Sequence, residues 1–252
     1  MPGFSTEELE RFSRDGFTIA RGLVSSAACD AMKAVAQRHL AAIVPPVEFE
    51  ADVKYPGSPA SLDAPGGRTV RRLLQAYARD ASFREFAVSP EIAVRMRQLI
   101  GPRIELSQAH HNCVMTKNPA FSSATGWHQD IRYWSFEKRE LVSIWLALGR
   151  EHEENGCLWL VPGSHRSEFG RQQYDGEKFF RADAAENRAL VETRVPAELD
   201  AGDVLFFHCR ALHAAGRNRT DATKFAAVFT YHAVDNRPVS GTRSASLPEV
   251  AL

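Results

Sequence analysis

The chain lacks an excess of either charge: 31 Lys and Arg face 31 Asp and Glu over 252 residues. That balance argues against a nucleic-acid binder, which carries a basic stripe or surplus. Long apolar runs are missing too. The longest, residues 141–148, is interrupted by Ser143 and falls far short of the roughly 20 residues needed to cross a bilayer. The N-terminus (Met1-Pro2-Gly3-Phe4-Ser5-Thr6-Glu7-Glu8) has neither a basic nor an apolar segment, so no secretory signal is expected. Cys29, Cys113, Cys157 and Cys209 are scattered and form no CxxC pair. This removes zinc knuckles and redox dithiols and predicts free thiols in a cytoplasmic protein. Neither GxGxxG nor GxxxxGK[ST] occurs, which leaves Rossmann and P-loop nucleotide sites without support. Internal repeats and low-complexity tracts are also absent.

What remains is ordinary globular composition, 44% hydrophobic and 25% charged, in a chain long enough for a sizeable core without covalent staples. The simplest organisation is one domain over residues 1–252, with a helical part at about 1–101 and a β core at about 102–235.

The first hundred residues carry helix signals. Ser5 and Glu8 have capping-box spacing, Phe4 and Leu9 sit where a hydrophobic staple would, and Gly16 should stop the helix. A second helix starts near Ser25 or Ser26. Its apolar positions Met32, Val35, Ala36, Leu40 and Ile43 keep the helical period, and Pro45-Pro46 should end it. Ser89-Pro90-Glu91 opens a third, which stops at Gly101-Pro102. Between the last two lies a Gly- and Pro-rich stretch, residues 55–67, of the kind used as a cover over a site.

After Gly101 short β-type runs alternate with turn residues, at 104–114, 141–148, 158–161, 204–207 and 224–231. That spacing points to a mostly β sandwich or barrel with flanking helices, not to βαβ units. In the last run Lys224, Ala226, Val228 and Thr230 share one face and Phe225, Ala227, Phe229 and Tyr231 the other.

Among the nine histidines, His128 stands out because Asp130 follows two residues later in Gly126-Trp127-His128-Gln129-Asp130. On an extended strand both side chains point to one face. Two such ligands grip one ion, and a later histidine such as His213 would complete a two-histidine, one-carboxylate face with open positions, a donor set associated with non-haem Fe(II) oxygenases. His110 and His111 are adjacent on an expected strand, so only one of them can face a cleft. His165 belongs to the Pro162-Gly163-Ser164-His165 turn, and His39, His152 and His232 have no motif around them.

The surroundings of the HxD pair are more specific. Trp127-His128-Gln129-Asp130, Trp145-Leu146-Ala147-Leu148 and Asn155-Gly156-Cys157-Leu158-Trp159 come first, the last running into Pro162-Gly163-Ser164-His165. Gly202-Asp203-Val204-Leu205-Phe206-Phe207-His208 and Leu212-His213-Ala214-Ala215-Gly216-Arg217-Asn218 follow. In this order and spacing, and with Asp15-Gly16-Phe17 near the start, the chain resembles the phytanoyl-CoA dioxygenase family. The resemblance implies a double-stranded β-helix, or jelly-roll, buttressed by helices. It implies Fe(II) held by His128, Asp130 and His213, with 2-oxoglutarate and O2 as cosubstrates, succinate and CO2 as products, and hydroxylation of a small organic molecule. His208 falls at a non-ligand position. Retention of Asp130 disfavours halogenation, for which related enzymes replace the carboxylate by a small residue. Trp145 is implied to lie near the cosubstrate.

One position departs from the family. Where an arginine pairs with the distal carboxylate of 2-oxoglutarate, this chain has Lys224, which neutralises charge without the planar fork. Arg217 and Arg219 are nearby cations. Substrate-pocket candidates are Arg132, Tyr133 and Trp134 after the metal motif, with Arg71, Arg72 and Gln75 before the third helix. The expected partner is a small molecule, with no nucleic acid and no membrane, and the oligomeric state is open. Two readings from other classes use the same residues: a zinc hydrolase with an activated water, and a non-catalytic jelly-roll that binds a metal or small molecule.

Overall fold

The computed structural model describes residues 2–53 and 55–252. Helix α1 (Thr6–Asp15) starts as its sequence predicts: the Ser5 hydroxyl accepts from the Glu8 amide while the Glu8 carboxylate accepts from the Ser5 amide. Gly16 closes it at φ 84°, a left-handed conformation in which a side chain would also strike the His165 ring. Helix α2 (Ser26–Ala41) is capped by Ser25 but ends before Pro45-Pro46, because the chain turns at Ala42 and Ile43 takes φ 48°. Two short helices, α3 (Ala76–Arg79) and α4 (Ala81–Ala87), go beyond the sequence reading; Asp80 caps the second through the Ser82 amide. Ser89 caps α5 (Pro90–Ile100), and α6 (Ala185–Glu192) lies late in the chain. No described helix is long and apolar enough to cross a membrane.

The strands are β1 (Phe17–Ala20), β2 (Val47–Phe49), β3 (Val70–Leu74), β4 (Ile104–Ser107), β5 (Cys113–Lys117), β6 (Thr125–His128) and β7 (Leu141–Ala147). They continue as β8 (Leu158–Leu160), β9 (Val195–Ala197), β10 (Val204–His208), β11 (His213–Ala215), β12 (Lys224–Ala233) and β13 (Val250–Ala251). The run expected at 104–114 is thus two strands, broken at 108–112, where His111 adopts φ 33°.

A large antiparallel sheet has the order β1-β10-β7-β12-β5-β3-β2, with β4 pairing to β12 and β13 to β4. A small sheet has the order β6-β11-β8-β9. The two face each other as a jelly-roll. Alternation along β12 explains why it is buried on both faces. Phe225, Ala227, Phe229 and Tyr231 pack with Phe83, Phe86 and Met96 of the helices, whereas Ala226 and Val228 pack between the sheets with Trp145, Leu158 and Leu160. Each such large side chain contributes about 1.5–3 kcal/mol on burial. Where β7 and β12 would bury two hydroxyls, Ser143 and Thr230 face each other in register and share a 2.8 Å hydrogen bond.

Candidate active site

The site begins with a strand register. In the β6–β11 pair His213 lies opposite His128, which brings their rings to 4.2 Å between centroids. Each Nδ1 faces a backbone carbonyl, His128 that of Gly126 at 2.8 Å and His213 that of Ala211 at 3.0 Å. A carbonyl only accepts, so Nδ1 carries the proton and Nε2 keeps its lone pair. Both Nε2 atoms point at the same carboxylate oxygen: Asp130 Oδ1 is 3.6 Å from that of His128 and 3.7 Å from that of His213.

Asp130 arrives differently from the expected strand position. β6 ends at His128, and Asp130 opens a 3-10 turn (Asp130–Tyr133) whose Ile131 amide bonds the Cys209 carbonyl at 3.1 Å. Between His128 and Asp130, Gln129 turns the other way, donating to the Arg210 carbonyl and accepting from the Tyr174 hydroxyl at 2.9 Å.

The three ligand atoms lie within 4.8 Å of one another and are buried. Their separations are too long for hydrogen bonds and suit neighbouring corners around a single divalent ion. The donor set, two neutral imidazoles and one carboxylate on one side of a cavity, fits Fe(II) with positions left open. Electrostatics agree. Burial, then the His128 ring, pushes the His213 imidazolium down to about 4, so His213 is neutral near pH 7. Although burial opposes it, the nearby His111 and His213 hold Asp130 well below the ordinary carboxylate range.

His111 is the residue that the motifs missed. Its Nε2 lies 3.1 Å from Asp130 Oδ2, the oxygen turned away from the His128 and His213 imidazoles. Burial alone would discharge it, but Asp130 raises it to about 9. Of the adjacent pair it is therefore His111 that faces the cleft; His110 turns back to Ser244 Oγ at 2.7 Å. The left-handed backbone at His111 is what swings the ring inward. The other histidines sit away from the site: His208 beside Glu140, His232 beside Glu249, His165 against Gly16 and His39 near Arg79, while the His152 amide bonds Asn155 in a turn.

Next to the triad lies a cavity that opens to solvent, with about 650 Å³ of empty space counting its open mouth. His128, His213 and His111 line one side, and Trp145, Lys224, Lys117, Arg71, Arg72 and Glu50 line others. Lys224 does face inward, but its Nζ lies 2.7 Å from Glu151 Oε2, and Glu151 Oε1 accepts from the Trp145 indole at 2.8 Å. Arg71 and Arg72 share one carboxylate, Glu48, at 2.7 and 3.3 Å. Glu151, Glu48 and Lys117 have no sequence motif that could have found them; each acts through a partner distant in the chain.

The remaining candidates divide. Arg132 stacks 3.3 Å from the centroid of Tyr174 and does not line the cavity. Trp134 packs behind the site on His110 and His111. The Tyr133 ring stands 6.2 Å from that of His128 at the surface. Gln75 lines a separate cleft beside Asn112 and Arg243. The Gly- and Pro-rich stretch folds toward the triad: Tyr55 meets Phe179 edge-on at 5.2 Å, and Phe179 in turn meets His128 at 6.1 Å. Gly126 makes room for Phe179, and Arg217 packs on Gly57.

Comparison with known proteins places this geometry. The family model for phytanoyl-CoA dioxygenase (PhyH) matches residues 12–226. The peroxisomal phytanoyl-CoA dioxygenase of Rattus norvegicus is 26% identical over 94% of this chain and 70% of its own length. For the human protein of that name the figures are 29%, 65% and 49%, so the match spans about half of that relative. A solved structure of the epimerase SnoN, in complex with Fe3+, alpha ketoglutarate and nogalamycin RO, superposes with a TM-score of 0.75 at 24% identity. The superposition covers 96% of this chain and 89% of that one. The match over residues 12–226 takes in strands β1 to β11 together with His128, Asp130 and His213, and the chain belongs to the phytanoyl-CoA dioxygenase family.

Proposed function

We propose that the protein is an Fe(II)- and 2-oxoglutarate-dependent dioxygenase that hydroxylates a small organic molecule, releasing succinate and CO2. One observation carries the reading: two imidazoles, each with Nδ1–H tied to a carbonyl, turn Nε2 toward the same oxygen of Asp130. We further propose that residues 1–252 act as one oxygenase domain in a reducing cytoplasm, where the four free, buried cysteines stay reduced.

Fe(II) held by His128, Asp130 and His213 supplies oxygen activation coupled to oxidative decarboxylation of the cosubstrate. The protein does the rest. The Gly126 and Ala211 carbonyls fix both rings in the ligating tautomer. His111 orients the Asp130 carboxylate and balances its charge. Trp145 and Lys224, braced by Glu151, form the wall that receives the cosubstrate. Phe179 and Tyr55 screen the ligand rings from water, the purpose of a cover over reactive chemistry.

For the substrate, Arg71 and Arg72 share one ion-pair carboxylate, Glu48, among the described residues, which favours a molecule bearing an anionic group. The aromatic rim of Tyr55, Tyr133 and Phe179 favours an apolar or ring-bearing body. Conversion of 2-oxoglutarate to succinate, measured with and without Fe(II) and O2, tests the reading. Succinate is expected only when both are present. Oxygen-independent activity with Zn(II) would replace it by a hydrolase, and no succinate under any condition by a binding protein.

A further inference from the structure

Lys117 lies directly opposite Lys224 in the β5–β12 pair, so both side chains emerge on the same face of the sheet. Like charges placed opposite each other across a sheet are destabilising. Lys224 is compensated by Glu151, whose two oxygens are both engaged, one by the lysine and one by the Trp145 indole. Lys117 has no such partner. Its ammonium donates to the backbone carbonyls of Gly216 and Ser123, and among the described residues no carboxylate stands within 4.0 Å of it. Glu50, an acidic residue lining that wall, accepts from the Ser123 amide at 3.1 Å.

Lys117 nonetheless lines the same cavity as His128 and His213. The path of its side chain is kept open by Gly156, at φ 75°, where a Cβ would come within 2.9 Å of the Lys117 stem. Burial, then Lys224 and Arg71, pushes its ammonium down to about 7, against the pull of Glu50 and Glu151. Such a cation gains most from an anion entering the cavity.

We infer that Lys117 is a second anchor for the distal carboxylate of 2-oxoglutarate, shared with Lys224 across the β5–β12 pair. The inference rests on the oxygenase reading and deepens it. A Lys–Glu pair offers little net charge to an incoming carboxylate; a second lysine restores the balance that a single arginine supplies elsewhere in the family. Two ammonium groups on neighbouring strands hold the carboxylate from two directions, in place of the two prongs of one guanidinium.

Anaerobic calorimetry on Mn(II)-loaded protein tests this without turnover, using 2-oxoglutarate and 2-oxopentanoate, which lacks the distal carboxylate. Wild type should bind 2-oxoglutarate the more tightly. Lys117→Gln should weaken 2-oxoglutarate about tenfold or more and leave 2-oxopentanoate unchanged, and Lys117→Arg should restore part of the affinity. Equal weakening of both ligands would mark a structural role and overturn the anchor, as would unchanged 2-oxoglutarate binding. If wild type binds neither compound, the oxygenase reading fails and takes the anchor with it.

Discussion

Lys224 Nζ lies 2.7 Å from Glu151 Oε2, and both side chains are out of water. The pair joins β12 to the loop after β7 and fixes the Trp145 indole at the same time. A buried ion pair adds little net stability over an apolar pair, but removing one partner leaves a bare charge. Glu151→Ala should therefore destabilise the protein by about 3–5 kcal/mol in urea unfolding. The double variant Glu151→Ala/Lys224→Met should regain most of that stability. A single variant as stable as wild type would show that Lys224 finds water instead.

His111 lies 3.1 Å from Asp130 on the side opposite to the His128 and His213 imidazoles. Groups that orient a metal ligand are typically worth 10–100-fold in metal affinity. His111→Ala should weaken Mn(II) binding by roughly that factor in competition with a chromogenic chelator. His111→Gly should do the same while relieving the strained φ of 33°. Unchanged affinity in both variants would remove His111 from the site.

His110 makes the fold acid-sensitive. Burial, then Arg243, pushes its imidazolium from 6.5 down to about 3 in the folded chain. The unfolded chain thus binds a proton that the folded one refuses, and stability rises with pH in that interval. The contribution is complete above about 6.5 and is lost as the pH falls toward 3. Melting temperatures of the metal-free protein should drop across this window, and less steeply in His110→Gln. Parallel curves would assign the acid sensitivity to other groups.

Much of this molecule is legible in its sequence because the signals are local. Ser5 with Glu8, Ser25 and Ser89 announce helix starts through their own turns, and β12 announces its two buried faces by alternation. His128, Asp130 and His213 stand out because their spacing and neighbours repeat a family pattern. What escapes depends on distant chain segments. His111 becomes a site residue only because a left-handed turn aims it at Asp130, while Glu151 and Glu48 matter only through Lys224 and the two arginines. Helix α2 ends earlier than Pro45-Pro46 suggests because Ile43 turns the chain before the prolines act. Asp130 leaves the strand because its turn is tied to Cys209, a residue of another loop.

The central claim is that His128, Asp130 and His213 hold one Fe(II) on which 2-oxoglutarate docks. The most direct test is anaerobic titration of the metal-free protein with Fe(II) in the presence of 2-oxoglutarate, followed by visible absorption. A weak charge-transfer band should grow to one Fe(II) per chain, and be missing from Asp130→Ala and His213→Ala variants whose circular dichroism matches wild type. Failure of the wild type to develop the band, or its full retention in Asp130→Ala, would contradict the account.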